Sequence, residues 1–253
     1  MNKILKVNAV LAFIIVITAC NFFTTSWGSG LKRDNADKLA QLTADDLALL
    51  LTDPDYTSDP ESIAALLEAL GGKTPEEIQG LSAKDKQAIL ELTISAGVPI
   101  SSLAGIMGQA TSGDAGSALS QLLSSTDVIN VDAAAAVLTD PEMLETADPT
   151  VITAAAVTVL VQVAAAETED AEDQDAAVTE LVNNITGTIA DSPAGSTAEE
   201  VVDQLIADGA ISEESREEMI AVTTSMQVLT GTSPTGIDRS GDSSGSGLLG
   251  GLL

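Results

Sequence analysis

The chain has 253 residues, with 38 Asp and Glu against 10 Lys and Arg, and a formal net charge of −28. A surface this acidic repels nucleic acid and anionic lipid head groups and attracts cations or basic partners. Histidine is absent and there is one cysteine, which removes the commonest general base, the usual Ser-His and Cys-His pairs, the usual zinc sites and any internal disulfide framework.

Lys3 and Lys6 precede an apolar run, Ala9 to Ala19, that carries no charge. This is the pattern of a secretory signal, and the run is too short to cross a bilayer as a helix. It ends in Ile17-Thr18-Ala19-Cys20: a branched apolar residue, two small residues, then cysteine. That motif resembles the lipobox of bacterial lipoproteins, a resemblance confined to the N-terminal segment. It implies that residues 1–19 are a signal peptide removed on export. It further implies that the Cys20 thiol receives a diacylglyceryl group and that the new amino terminus is acylated too. Two or more acyl chains, at about 0.8 kcal/mol per buried CH₂, anchor a protein stably. The alternative is an ordinary secretory signal cut after Ala19. In lipoproteins of diderm bacteria, Asp after the cysteine commonly marks inner-membrane retention. Asn21 stands there instead, so the resemblance implies the cell envelope, and the outer membrane over the inner if the host is diderm. Residues 20–30 read as a lipidated tether in which Phe22, Phe23 and Trp27 sit at the membrane interface as aromatic belts do.

From residue 31 to 230 the composition predicts helices. Alanine, the best helix former, is abundant and aromatics are 2%, which describes small-residue helix packing. The expected fold class is all-α: an acidic array or bundle of about eight to ten short helices, as one domain or as two halves divided near 125–131. A Ser or Thr followed three residues later by an acid marks a helix start. The pattern occurs at Thr43/Asp46, Ser58/Glu61, Thr74/Glu77, Ser82/Asp85, Thr139/Glu142 and Ser196/Glu199, with Pro60, Pro75 and Pro141 just inside three of the helices. Ile63, Leu66, Leu67 and Leu70 form a helical stripe stopped by Gly71-Gly72. Val201, Val202, Leu205 and Ile206 form another, ending near Gly209, and Ile220 to Leu229 carries the last, ending near Gly231. Val151 to Ala166 is almost wholly apolar. Its valines allow a buried strand, but its length and alanines favour a buried central helix over a strand or a membrane span. Leu51-Thr52-Asp53-Pro54 recurs as Leu138-Thr139-Asp140-Pro141, and each is followed by a second Asp-Pro. Leu42-Thr43-Ala44 likewise resembles Leu81-Ser82-Ala83, but the offsets differ, and a true solenoid holds one period. Residues 231–253 read as a flexible Gly/Ser tail with terminal leucines.

No motif for catalysis stands in a workable context. Gly241-Asp242-Ser243-Ser244-Gly245 matches G-x-S-x-G but lies in the tail, with no histidine to activate the serine. Gly72-Lys73-Thr74 resembles the end of a phosphate-binding loop, but Leu67 stands where that loop needs glycine. No cofactor and no catalytic residue is expected. The densest acidic cluster is Glu167, Glu169, Asp170, Glu172, Asp173 and Asp175. It offers oxygen ligands for a hard cation without the order of an EF-hand loop, and it reads equally as a solvated acidic lead into a helix. The expected function is therefore a membrane-anchored envelope lipoprotein acting as a non-enzymatic structural or protein-interaction module. Its membrane partner is reached through lipid on Cys20, and its protein partner in the envelope is unknown. The alternative is a Ca²⁺-binding envelope protein that uses the acidic cluster. Apart from the signal, no family is recognised in the folded part.

Overall fold

The computed structural model describes residues 38–97, 121–123, 128–169, 171–193 and 195–237. They form an all-α fold, with no strand among the described residues. The first group of helices is α1 (Ala44–Leu50), α2 (Pro54–Thr57), α3 (Pro60–Gly71), α4 (Pro75–Gln79) and α5 (Ala83–Gly97). The second is α6 (Asp132–Leu138), α7 (Pro141–Thr146), α8 (Pro149–Glu167), α9 (Gln174–Asp191), α10 (Ala198–Ala207), a 3₁₀ turn at Glu213–Ser215, and α11 (Arg216–Thr230).

Local chemistry sets most of the helix starts. Thr43 accepts from the Asp46 N–H, and Thr74 and Glu77 form a reciprocal capping box. Ser82 accepts from the Asp85 N–H at 3.3 Å. Three other caps lie one residue beyond the position expected from Ser/Thr spacing. Asp59 rather than Ser58 caps α3, Asp140 rather than Thr139 caps α7, and Thr197 rather than Ser196 caps α10. Proline accounts for the first two: at the first helical position it makes the preceding Asp the cap, and a carboxylate serves that role as well as a hydroxyl. At α10 the deciding pair is Thr197 with Glu200, which closes a full capping box. Gly209 (φ +71°) and Gly231 (φ +73°) end α10 and α11 in the left-handed region. There the Ala210 N–H reaches Leu205 O at 2.9 Å and the Thr232 N–H reaches Gln227 O at 2.8 Å.

The recurring Leu-Thr-Asp-Pro segments build the same device twice. A seven-residue helix leads through Thr-Asp-Pro into a short helix and through a second Asp-Pro into a long one, as α1–α2–α3 and as α6–α7–α8. The short member has four residues in α2 and six in α7, so the two units do not keep one offset. Helix α5 packs against members of both units.

The core is continuous from Leu39 to Leu229. Its axis is α8, the apolar run over Val151 to Ala166, which is a helix and not a strand. It is long and apolar enough to cross a membrane by length and composition, yet 67% of its most apolar window is buried inside the protein. Helices α5, α6 and α11 pack on it. In α6 every residue from Ala133 to Leu138 is buried, and its alanines let neighbouring backbones approach from all sides. At the α5–α8 crossing a Cβ on Gly97 would stand 2.5 Å from Thr158 Cγ2. The buried hydroxyls of Thr93, Thr158, Thr168 and Ser225 each donate to a carbonyl four residues back, so these residues fill core volume without needing a distant partner.

Candidate functional site

The sequence-level candidates fall in different places. Cys20 and Asp170 lie outside the described residues. Glu167, the last residue of α8, turns back to the fold. Its Oε1 accepts from Ser212 N–H (3.0 Å), Ser212 Oγ (2.6 Å) and Ser215 Oγ (2.5 Å). Burial works against its charge, but these hydrogen bonds win and hold its carboxyl below the usual carboxylate range. Asp173 is the N-cap of α9, with its side chain accepting from Ala176 N–H, and Asp175 lies in the first turn. Both placements match the positive end of a helix. Glu169 and Glu172 are exposed. The cluster is thus divided between a clamp on the 3₁₀ turn, a helix cap and open surface. Among the described residues no three His, Cys, Asp or Glu side chains converge as a metal site.

A polar cleft of about 950 Å³ lies between α9 and α10. Asn183, Asn184 and Asp191 of α9 border it, with Glu200 and Gln204 of α10 and Asp208 just beyond. Among the described residues no lysine or arginine lines it, and the surrounding chain from Gln87 to Ser215 contains neither. Such a lining offers carboxylate acceptors and amide donors together. It suits a cationic, hydrogen-bonding ligand such as a basic peptide segment, and it repels anions. The nearest cation along the chain, Arg216, is engaged at the edge of α10. Its Nη2 lies 2.9 Å from Asp203 Oδ1, which raises its pKa further.

A second cleft, of about 310 Å³, lies where α6 and α11 meet the α3–α4 connection, bordered by Lys73, Asp132, Glu214, Glu217 and Glu218. Asp132 opens α6 and is held by Asn130, whose Oδ1 accepts from the Asp132 N–H (3.1 Å) and whose Nδ2 donates to Asp132 Oδ2 (3.0 Å). Asn130 in turn lies over Gly71, where a Cβ would stand 2.0 Å from its Oδ1.

Two charged groups inside the fold escaped sequence reasoning. Lys86 of α5 is 3% exposed and binds the side chain of Asp140, the buried cap of α7, with Glu142 Oε2 3.9 Å from its Nζ. Glu218 of α11 is partly buried, and its Oε2 is buried without a hydrogen-bond partner. Both leave the same trace in the sequence: a charge in register with an apolar stripe. Lys86 precedes Ile89, Leu90 and Thr93, and Glu218 precedes Val222, Ser225 and Leu229, all buried. Comparison with protein-family models, with curated proteins and with solved structures yields no match to this chain.

Proposed function

We propose that this chain is a lipid-anchored module of the bacterial cell envelope that binds a basic protein partner and catalyses no reaction. The observation that carries the binding half is the polar cleft between α9 and α10, lined by Asp191, Glu200 and Asp208 with no lysine or arginine among the described residues. Charge of one sign in a concave site steers an oppositely charged partner and fixes its register. The anchoring half is supported by Ile17-Thr18-Ala19-Cys20 behind an uncharged apolar run. In this reading, diacylglyceryl and acyl chains on Cys20 hold the acidic helical body near a membrane. Residues 20–30 give it reach, and Asn21 favours the outer membrane in a diderm host.

Two variants test the halves separately. Labelled palmitate should enter the wild-type protein and not Cys20→Ala, which should leave the membrane fraction. A Cys20→Ala protein that fractionates with membranes as before refutes the anchor. Crosslinking from the native envelope should recover a discrete basic partner with the wild type and lose it with Asp191→Asn/Asp208→Asn. Equal recovery with both excludes the cleft as the docking site.

A further inference from the structure

Helix α9 is anchored through its first part. Val178, Leu181, Val182 and Ile185 are buried along one stripe, and α10 is the helix it packs on most closely. Past Ile185 no described side chain of α9 is buried: Gly187 and Asp191 are exposed, and Thr188 and Ile189 are half-buried. The chain is fixed again at the start of α10. There Gln227 Nε2 of α11 donates to Ser196 O at 3.0 Å, and Thr197 and Glu200 close their capping box. Between these two anchors, Gly187, Thr188, Asp191, Ser192 and Pro193 form one wall of the polar cleft.

Local chemistry weakens this wall. Gly187 stands inside the helix, where glycine is disfavoured against alanine by roughly a factor of five. Its φ is not in the left-handed region and a Cβ there would meet nothing within 4 Å, so neither backbone nor packing calls for glycine. Asp191 puts a carboxylate in the last turn, at the negative end of the helix dipole, and no basic residue offsets it there. Beyond Pro193, Gly195 at φ +89° turns the chain toward α10. A short wall with few buried apolar groups, bounded by a glycine on either side, is the kind of segment that opens locally while the rest of the fold stays closed.

We propose, on the reading of the cleft as a site for a basic partner, that Gly187–Pro193 is a strap that is loose over the empty cleft and is drawn closed by a cationic ligand. A cation beside Asp191 offsets the carboxylate and the negative helix end together, so the closed strap binds it better than the open one and binding shifts the population toward closure.

The experiment is amide hydrogen exchange, followed by NMR on the full chain at pH 7 and constant ionic strength, with and without hexalysine. The variants are Gly187→Ala and Asp191→Asn/Asp208→Asn. In the free wild type, the amides from Gly187 to Ser192 should exchange about tenfold or more faster than those of Val182 and Ile185, after correction for intrinsic rates. Gly187→Ala should slow the strap amides roughly fivefold and leave Val182 unchanged. Hexalysine should protect the strap in the wild type and not in the double variant. Strap amides as protected as Val182 in the free protein overturn the strap, whatever hexalysine does. Unchanged strap exchange in Gly187→Ala overturns the hinge. A loose strap that hexalysine leaves unprotected, or protects equally in the double variant, overturns closure by a cation and the basic-partner reading of the cleft with it.

Discussion

Replacing Lys86 with methionine keeps the length of the side chain but removes the cation from beside Asp140, which is 6% exposed. Losing one member of a buried pair leaves the other charge without compensation, at a cost of about 3–5 kcal/mol in well-enclosed cases. In this protein the two single variants are not equivalent. With Lys86→Met, the Asp140 carboxylate keeps only the Glu142 N–H at 2.8 Å on Oδ1 and faces a second acid, so the loss is expected near 3 kcal/mol. With Asp140→Asn, the amide oxygen still caps α7 and Lys86 keeps Glu142 within 3.9 Å, so the loss is expected nearer 2 kcal/mol. The double variant buries no charge and keeps the cap, and it should recover most of the stability. Urea unfolding of all four proteins at pH 7 gives the cycle directly. The coupling energy should be about 2 kcal/mol or more. A double variant as unstable as the sum of the two singles refutes the reasoning, because the charges would then not be compensating one another.

Gly97→Ala places a methyl 2.5 Å from Thr158 Cγ2 and 2.9 Å from Ile129 Cδ1; it should cost roughly 1–3 kcal/mol by overpacking the α5–α8 crossing, read as a lower urea midpoint with an unchanged slope. Glu167→Ala frees three donors from Ser212 and Ser215 and should cost roughly 1 kcal/mol at pH 7, after allowance for solvent screening. Since the folded Glu167 carboxyl lies below its ordinary value, that difference is present above the ordinary carboxylate range and should shrink as pH falls through it; a difference that persists in acid contradicts the assignment. Raising NaCl from about 0.05 to 0.5 M should raise Tm, because screening relieves the repulsion of a net charge of −28. Calcium and magnesium at equal ionic strength should act alike, and a rise specific to micromolar calcium would instead assign a cation site to the acids around Asp170.

Helix placement was legible in the sequence because its causes lie within four residues. Thr74 and Glu77 close their box whatever the rest of the chain does, Asp-Pro starts a helix wherever it occurs, and the Ile63 to Leu70 stripe names its own buried face. Two of the displaced caps show the limit of that reading: Ser58 and Thr139 had the right spacing, but the Asp-Pro beside each made the stronger start. The fate of the acids was not legible, because it is decided by partners far along the chain. Glu167 is claimed by Ser212 and Ser215, 45 and 48 residues away, which breaks a cluster that looks contiguous in sequence. Lys86 enters the core only because Asp140, 54 residues on, meets it there. Glu218 has one carboxylate oxygen enclosed only because α11 packs against its neighbours there. Sequence by itself determined the helices, the apolar faces and the acidic, histidine-free chemistry, all consequences of local hydrogen bonding and composition. Only tertiary packing decided which charges face solvent and which face each other, because desolvation and Coulomb energy depend on what folding brings within a few ångströms.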